Sequence, residues 1–333
     1  HPEHSAVPPE KLKPIVEVLD SAPLFAPTLW PLLQWAAAYY QHPLGEVLHH
    51  ALPQLLRQGE APERRALTAY ELTEAGQAML TTPSRRAPRQ QRTLERLAEG
   101  AVTGADLRAE GIDTPILKTL QEKGFIHELD LLSRREPWQQ SFAIHHEDEP
   151  TLNSEQALTV ANINQQQGFG VFLLEGITGS GKTEVYLQSM APVLARGEQV
   201  LVLVPEIGLT PQTLRRFRRR FNAPVLPLHS AMNDRERLES WLACRAGEAA
   251  ILIGTRSALF TPFARLGLII IDEEHDASFK QQEGFRYHAR DLAILRAREE
   301  RCPIVLGSAT PSLESLHNAR SGKYHYLKLT LRA

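Results

Sequence analysis

The residues Gly176-x-x-x-x-Gly181-Lys182-Thr183, in the stretch LLEGITGSGKT, have the types and spacing of a phosphate-binding loop. Gly176, Gly179 and Gly181 let the backbone turn tightly. Successive N–H groups, those of Thr178 and Ser180 among them, can then face phosphate oxygens at the positive end of the following helix dipole. Lys182 would neutralise the β and γ phosphates, and the Thr183 hydroxyl would hold Mg²⁺. The alternative is a glycine-rich surface loop. The full pattern arises by chance in only about one chain in a hundred of this length, and here a strand-like run precedes it and a helix-like run follows. A Mg²⁺-nucleotide, ATP by type, is the expected ligand.

Asp272 and Glu273 form a second centre. They follow Leu268-Ile269-Ile270-Ile271, which reads as a buried strand emptying into acids. Asp272 is placed to hold Mg²⁺ through its water shell, and Glu273 to polarise the water that attacks a γ-phosphate. A lone Asp-Glu pair reads better as a solvated turn. Behind four apolar β-formers and downstream of a phosphate loop, the pair reads as catalytic. Gly307-Ser308-Ala309-Thr310 follows the next apolar run, and the Ser308 and Thr310 hydroxyls would couple the acids to whatever moves on hydrolysis. His275 would join the acids in a hydrogen-bond network; no second ligand accompanies it to make a metal site.

Strands must hold these groups. Apolar runs at Val171 to Leu174, Val200 to Val204, Ala250 to Ile253, Leu268 to Ile271 and Ile304 to Leu306 alternate with helical stretches. Such runs predict an α/β fold, a parallel sheet covered on both faces, with ligands at the carboxyl ends of its strands, where the motifs fall. Upstream the texture differs. Residues 1–60 offer a strand at Ile15 to Leu19, a helix capped by Thr28, and a second helix from Leu44 to Arg57. That is thin for a stable domain and reads as the remnant of a truncated one. Residues 61–150 carry a helical signal at Thr73 to Met79, then helices at Gln91 to Leu97, Thr103 to Leu107 and Thr114 to Gln121, and a strand at Phe125 to Leu129. This is the outline of a winged helix. Its third helix has only Lys118 and Lys123 as cations, so a protein-contact module or spacer stands beside a DNA reader. Residues 133–150, charged and proline-flanked, make a linker.

A chain of 333 residues has room for two or three domains. With 37 Lys and Arg against 39 Asp and Glu, the net charge of −2 excludes a global basic field. Any nucleic-acid contact must come from local patches. The basic run of Arg215, Arg216, Arg218, Arg219 and Arg220 reads better as a solvated helix face than as a DNA rim. No apolar run approaches the ~20 residues of a membrane span. The two cysteines, Cys244 and Cys302, form no C-x-x-C pair, which argues against a zinc site or disulfide framework and for a reducing cytoplasm. His1-Pro2-Glu3-His4 is unlike a translation start, so the chain reads as the interior of a longer protein.

The order GSGKT, DEEH, SAT is that of a superfamily-two helicase motor. Leu203 to Thr213, His229-Ser230, Gly254 to Phe260 and Asp272 to Arg290 resemble the PriA family of bacterial replication-restart helicases, and the similarity runs through residues 151–333. Ile15 to Asp20 and Trp35 to Gly59 resemble the end of that family's 3′-DNA-binding domain, and the middle resembles its winged helix. The resemblance implies a RecA-like parallel-sheet motor lobe at 151–333, preceded by a winged-helix domain and linker at 61–150 and the remnant of an N-terminal 3′-DNA-binding domain at 1–60. By position, Gln156 resembles the glutamine that reads adenine. Pro205, Glu206 and Thr210, with Thr255, Arg256 and Ser257, resemble loops that grip a single-strand backbone, which suits sequence-independent tracking. Phe279 to Arg290 resembles the family's aromatic-rich loop. Its rings Phe279, Phe285 and Tyr287, beside the cations Lys280, Arg286 and Arg290, are expected to be exposed for stacking. A core placement is the alternative, and the polarity of the loop argues against it. Lys13 falls where the family carries a lysine in its 3′-end pocket.

The activity so implied is ATP- and Mg²⁺-dependent 3′-to-5′ DNA translocation at stalled forks and D-loops, restarting replication by primosome assembly. Implied partners are forked and single-stranded DNA, single-strand-binding protein and other primosome proteins, for a cytoplasmic monomer. The family's second motor lobe, with its γ-phosphate arginine, and its cysteine-rich zinc insertion do not occur before Leu331-Arg332-Ala333. Weak nucleotide binding and little ATPase are therefore expected of this chain. A competing expectation is a DNA-binding, primosome-loading scaffold whose ATP site is a switch. A nucleotide kinase is disfavoured because nothing resembles an acceptor pocket or lid.

Overall fold

The computed structural model describes residues 17–18, 20, 22–63, 68–80, 88–130, 138–144 and 150–332. Leu29, Leu32, Leu33, Ala36 and Ala37 recur at helical spacing and are buried along one face of α1 (Leu29–Tyr39). Thr28 stands at its N-cap but makes no side-chain capping bond. The helix expected from Leu44 to Arg57 is split into α2 (Leu44–Ala51) and α3 (Gln54–Arg57). Pro53 causes the break: it forces the preceding Leu52 into extended backbone and cannot continue the helical hydrogen bonding. Lys13 and most of the strand expected at Ile15 to Leu19 fall outside the described residues.

The middle unit runs β1 (Thr68–Leu72), α4 (Glu74–Leu80), α5 (Pro88–Leu97), β2 (Val102–Thr103), α6 (Gly104–Ala109), α7 (Thr114–Glu122) and β3 (Ile126–Asp130). The Thr103 hydroxyl caps α6 by accepting from the Asp106 N–H, and α7 is stopped by Gly124 at φ +71°. Both signals are readable in the sequence. β1 is not, because only Ala69 of its five residues is buried and no alternation shows. It is nevertheless the central strand, antiparallel to both neighbours in the order β2-β1-β3. Leu94, Leu97, Leu107, Leu117, Leu120 and Ile126 form this unit's own core.

After the short α8 (Trp138–Ser141) come α9 (Ser154–Gln165), β4 (Gly170–Gly176), α10 (Lys182–Ala195), β5 (Gln199–Leu203), α11 (Pro211–Arg220) and β6 (Val225–Leu228). They are followed by α12 (Asp234–Arg245), β7 (Ile251–Gly254), β8 (Leu266–Ile271), α13 (Ala289–Glu300), β9 (Pro303–Ser308), α14 (Leu313–Arg320) and β10 (His325–Leu329). Seven strands form one sheet, in the order β10-β4-β9-β8-β5-β7-β6, with every neighbour parallel. Five of them are the apolar runs that predict the sheet. The other two are its edges: β6 carries Pro227, which an edge strand tolerates, and β10 is largely exposed. In β8, Leu268 and Ile270 pack on the side of α10 and α11, while Ile269 and Ile271 pack on the side of α13. Burial on both faces is what makes this strand apolar throughout.

The α13 face is also covered from far upstream. Leu29, Leu32, Leu33, Ala36 and Val47 of α1 and α2 belong to the same core as Leu292 and Ala293 of α13, and α3 packs Leu56 against Leu238, Trp241 and Leu242 of α12. Residues 29–57 thus share the lobe's core. The basic run of α11 is solvated only in part: Arg216 and Arg219 are exposed, whereas Arg215 and Arg218 are half-buried and Arg220 is buried. Arg218 pairs with Asp106 at 2.8 Å, Arg219 lies 3.8 Å from Glu99, and Arg215 lies 4.0 Å from Glu110. Together with the Arg108–Glu236 pair, these form a charged seam between the middle unit and the lobe.

Candidate functional site

β4 carries the loop 177–181 to the carboxyl edge of the sheet, and α10 starts at Lys182. Gly179 and Gly181 both adopt φ +82°, a left-handed conformation that glycine takes without strain. Gly176 is glycine for a different reason: a Cβ there would lie 2.5 Å from Ser180 Oγ. Lys182 Nζ donates to the Gly176 carbonyl at 2.8 Å and lies 3.6 Å from Glu273 Oε1. The first N–H groups of α10 have no acceptor within the helix, and its dipole is positive there. A cleft of about 950 Å³ opens over the loop, lined by residues 177–184, by Asp272 and Glu273, and by Arg215, Arg216, Arg219 and Arg220. Its size and its charged lining fit a nucleoside triphosphate. The hydroxyl of Thr183 and the carboxylate of Asp272 are hard oxygen donors of the kind Mg²⁺ takes.

Asp272 is held from below. Tyr186 Oη on α10 donates to Asp272 Oδ1 at 2.9 Å. Burial pushes the Asp272 carboxyl above its ordinary value and the Tyr186 hydroxyl well above its own. Gly307 makes room for this contact, since a Cβ at that position would lie 1.6 Å from Tyr186 Oη. Neither residue has a sequence signal: Tyr186 looks like one more apolar-face residue, and Gly307 like the first letter of a weak tetrapeptide.

Glu273 occupies the left-handed region at φ +49°, uncommon for a residue with a side chain. Its Oε2 accepts from the Ala309 N–H at 3.4 Å and lies 3.7 Å from His275 Nδ1. His275 Nδ1 is 2.8 Å from Ser308 Oγ, its Nε2 is 3.3 Å from Thr310 Oγ1, and the Thr310 N–H donates to Ser308 Oγ at 3.0 Å. The structure therefore brings together Lys182, Glu273, His275, Ser308 and Thr310, and places Asp272 beside them.

Glu274 has a different part. It is fully buried and accepts from Arg290 Nη1 at 3.1 Å, from the Ser312 N–H at 2.7 Å and from Ser315 Oγ at 3.0 Å. Arg290, expected on the DNA side, is corrected by this contact. It is a buried counter-ion, because a buried carboxylate without a cation is prohibitively costly.

The aromatic loop needs the larger correction. Phe279, Phe285 and Tyr287, expected to be exposed, retain 1%, 3% and 2% of their surface. Phe285 lies edge-on to Tyr40, His42 and His50, and Tyr287 to His50 and Phe260. The backbone is fixed as well: the His288 N–H donates to Tyr40 Oη and the Arg286 N–H to His42 Nε2, each at 3.2 Å. The cover comes from α1, α2 and the turn between them, more than 200 residues upstream, so the loop's own polarity could not reveal it. Burial, with the nearby charges of Arg256 and Arg57, pushes the His50 imidazole down to about 4. Lys280 and Arg286 do stay exposed.

Gln156, expected to read adenine, is also nearly buried. Its Oε1 accepts from the Asn153 N–H at 2.9 Å, closing a capping box on α9, and its Nε2 donates to the Ser180 carbonyl at 2.8 Å. It supports the phosphate loop from beneath. Pro205 leads into the turn Glu206–Gly208, and Thr210 caps α11 through the Thr213 N–H. Thr255 is buried at the end of β7, Ser257 is exposed, and Arg256 donates to the carbonyls of Ser278 and Lys280 at 2.8 and 3.2 Å. Arg256 thus ties the turn after β7 to the aromatic loop.

The profile of the DEAD/DEAH box helicase family matches residues 153–319, and that of the 3′DNA-binding domain (3′BD) matches residues 1–53. The replication restart protein PriA of Haemophilus influenzae is 48% identical over 337 residues, covering all of this chain and 46% of that protein. PriA of Bacillus subtilis is 43% identical over 256 residues, 75% of this chain and 32% of that protein. The chain spans less than half the length of these relatives. A solved structure of RecG bound to a three-way DNA junction is similar at 25% identity, over 54% of this chain and 24% of that one, with a TM-score of 0.42. The chain belongs to the DEAD/DEAH box helicase family, in which the PriA proteins are its relatives.

Proposed function

We propose that this chain is the nucleotide-binding part of an ATP- and Mg²⁺-dependent 3′-to-5′ DNA helicase. It acts at stalled forks and D-loops and restarts replication through primosome assembly. The observation that carries this reading is the convergence of Lys182, Asp272, Glu273, His275, Ser308 and Thr310 at the carboxyl ends of β4, β8 and β9. Bound Mg²⁺ would supply positive charge at the phosphates. Lys182 binds the same phosphates, Thr183 and Asp272 orient the ion, Glu273 polarises the attacking water, and the His275–Ser308–Thr310 chain passes the state of the site onward.

On this reading residues 1–60 belong to a 3′-DNA-binding domain, 61–150 to a winged helix with its linker, and 151–333 to the first motor lobe. Glu206, Thr210, Ser257, Lys280 and Arg286, all exposed, face the strand, while Phe279, Phe285 and Tyr287 hold the loop that carries the last two. Forked and single-stranded DNA, single-strand-binding protein and primosome proteins are the partners of a cytoplasmic monomer. Any zinc is held by residues other than Cys244 and Cys302, both of which are buried.

Lys182→Ala in the whole protein tests the motor. Loss of DNA unwinding with primosome loading intact supports it, whereas loss of both turns the site into a switch. For this chain alone we expect Mg²⁺-dependent nucleotide binding. Binding to forked DNA should weaken linearly on a log–log salt plot, and a flat plot would end the DNA reading.

A further inference from the structure

Four arginines of α11 line the nucleotide cleft without belonging to any of its motifs. The phase of the helix puts them there, since Leu214 and Phe217 are buried against the sheet and leave residues 215, 216 and 219 facing outward. Three of the four have acidic neighbours. Arg220 is buried against Glu184, Arg219 lies 3.8 Å from Glu99, and Arg215 lies 4.0 Å from Glu110. Arg216 has none: it is exposed, and its side chain makes no ion pair or hydrogen bond with any described residue.

The charge inventory of the cleft singles out the same residue. Its acids are Glu99, Glu184, Asp272 and Glu273. Glu99 has Arg219, Glu184 has Arg220, Glu273 has Lys182, and Asp272 has the Tyr186 hydroxyl. Arg216 is left as a cation without a matching acid in a cleft whose glycine loop is built for phosphate. A guanidinium presents planar, paired donors that match phosphate oxygens two at a time, and its charge does not titrate.

We propose that Arg216 is a phosphate-binding residue of the nucleotide site, a second cation brought by α11 to the phosphates that Lys182 holds. This rests on the nucleotide reading given above and adds to it a residue outside every helicase motif.

The test measures Mg²⁺-ATP, ADP and AMP binding by this chain and its Arg216→Ala, Arg216→Lys and Lys182→Ala variants, by displacement of a fluorescent ADP analogue and by calorimetry. Arg216→Ala should weaken ATP roughly ten- to hundredfold, the worth of one charge-assisted hydrogen-bonded contact. AMP should change less than about twofold, Arg216→Lys should recover part of the loss, and the melting temperature should hold, as befits an exposed side chain. Equal losses for ATP and AMP would make Arg216 a base-stacking or structural residue and overturn the proposal. So would an unchanged ATP affinity in Arg216→Ala alongside a large loss in Lys182→Ala. If Lys182→Ala is itself neutral, the nucleotide reading fails first.

Discussion

Tyr186 Oη reaches Asp272 Oδ1 at 2.9 Å only because residue 307 has no side chain. The first helix after the phosphate loop is thereby wired to the acid at the end of β8, and both partners are shifted upward by burial. Tyr186→Phe would leave one carboxylate oxygen without its donor. A loss of about 1–3 kcal/mol in urea-melt stability is expected. The hydrogen bond also helps keep Asp272 ionised, so Mg²⁺-dependent nucleotide binding should fade at a higher pH in the variant than in the parent as the solution is acidified.

Gly307→Ala addresses the same contact from the other side. The added methyl would overlap the Tyr186 hydroxyl, and overpacking of this kind costs about 1–3 kcal/mol or more. In a Tyr186→Phe background part of that penalty should vanish, because the atom in the way is gone. Strict additivity of the two changes in a double-mutant cycle would refute the overlap.

His50 gives the stability a pH dependence. Its folded value, about 4, lies below the ordinary 6.5 because burial disfavours the cation, so the unfolded chain binds the extra proton first as pH falls. Stability is fully present above about pH 6.5 and is lost as pH drops toward 4. Melting temperatures across that window should fall in the parent and fall less in His50→Phe.

The cations of the aromatic loop should separate by assay. Arg290→Ala leaves Glu274 buried and without its counter-ion, a change that costs about 3–5 kcal/mol. Arg286→Ala, at an exposed position, should spare stability and lower the salt slope of single-strand binding by about 0.7, the contribution of one phosphate contact. A normal melting curve for Arg290→Ala would contradict the buried pairing.

The sequence was informative where chemistry and local geometry coincide. Gly181-Lys182-Thr183 needs its strand and helix on either side, and the acids at 272 and 273 need the buried β8 before them, so both centres could be placed without coordinates. The seam between Arg218 and Asp106 was not legible, because a basic run looks the same whether water or an acid faces it. The rings of Phe285 and Tyr287 misled for a related reason. A loop's polarity reports its own residues, whereas burial here is decided by Tyr40, His42 and His50, which are distant in sequence. Gln156 shows a third limit: one amide can cap a helix and brace a loop, and its residue type alone does not say which groups it meets.

The apolar stripe of α1 sets a length that the motifs do not. A polypeptide started at residue 150 would keep the phosphate loop and the acids after β8, yet it would bare the parts of α13 and the rings of Phe285 and Tyr287 that Leu29, Leu33, His42 and His50 now cover. Exposed apolar patches of that kind promote self-association. The stretch of chain that carries the motifs is thus shorter than the stretch that keeps their apolar supports out of water.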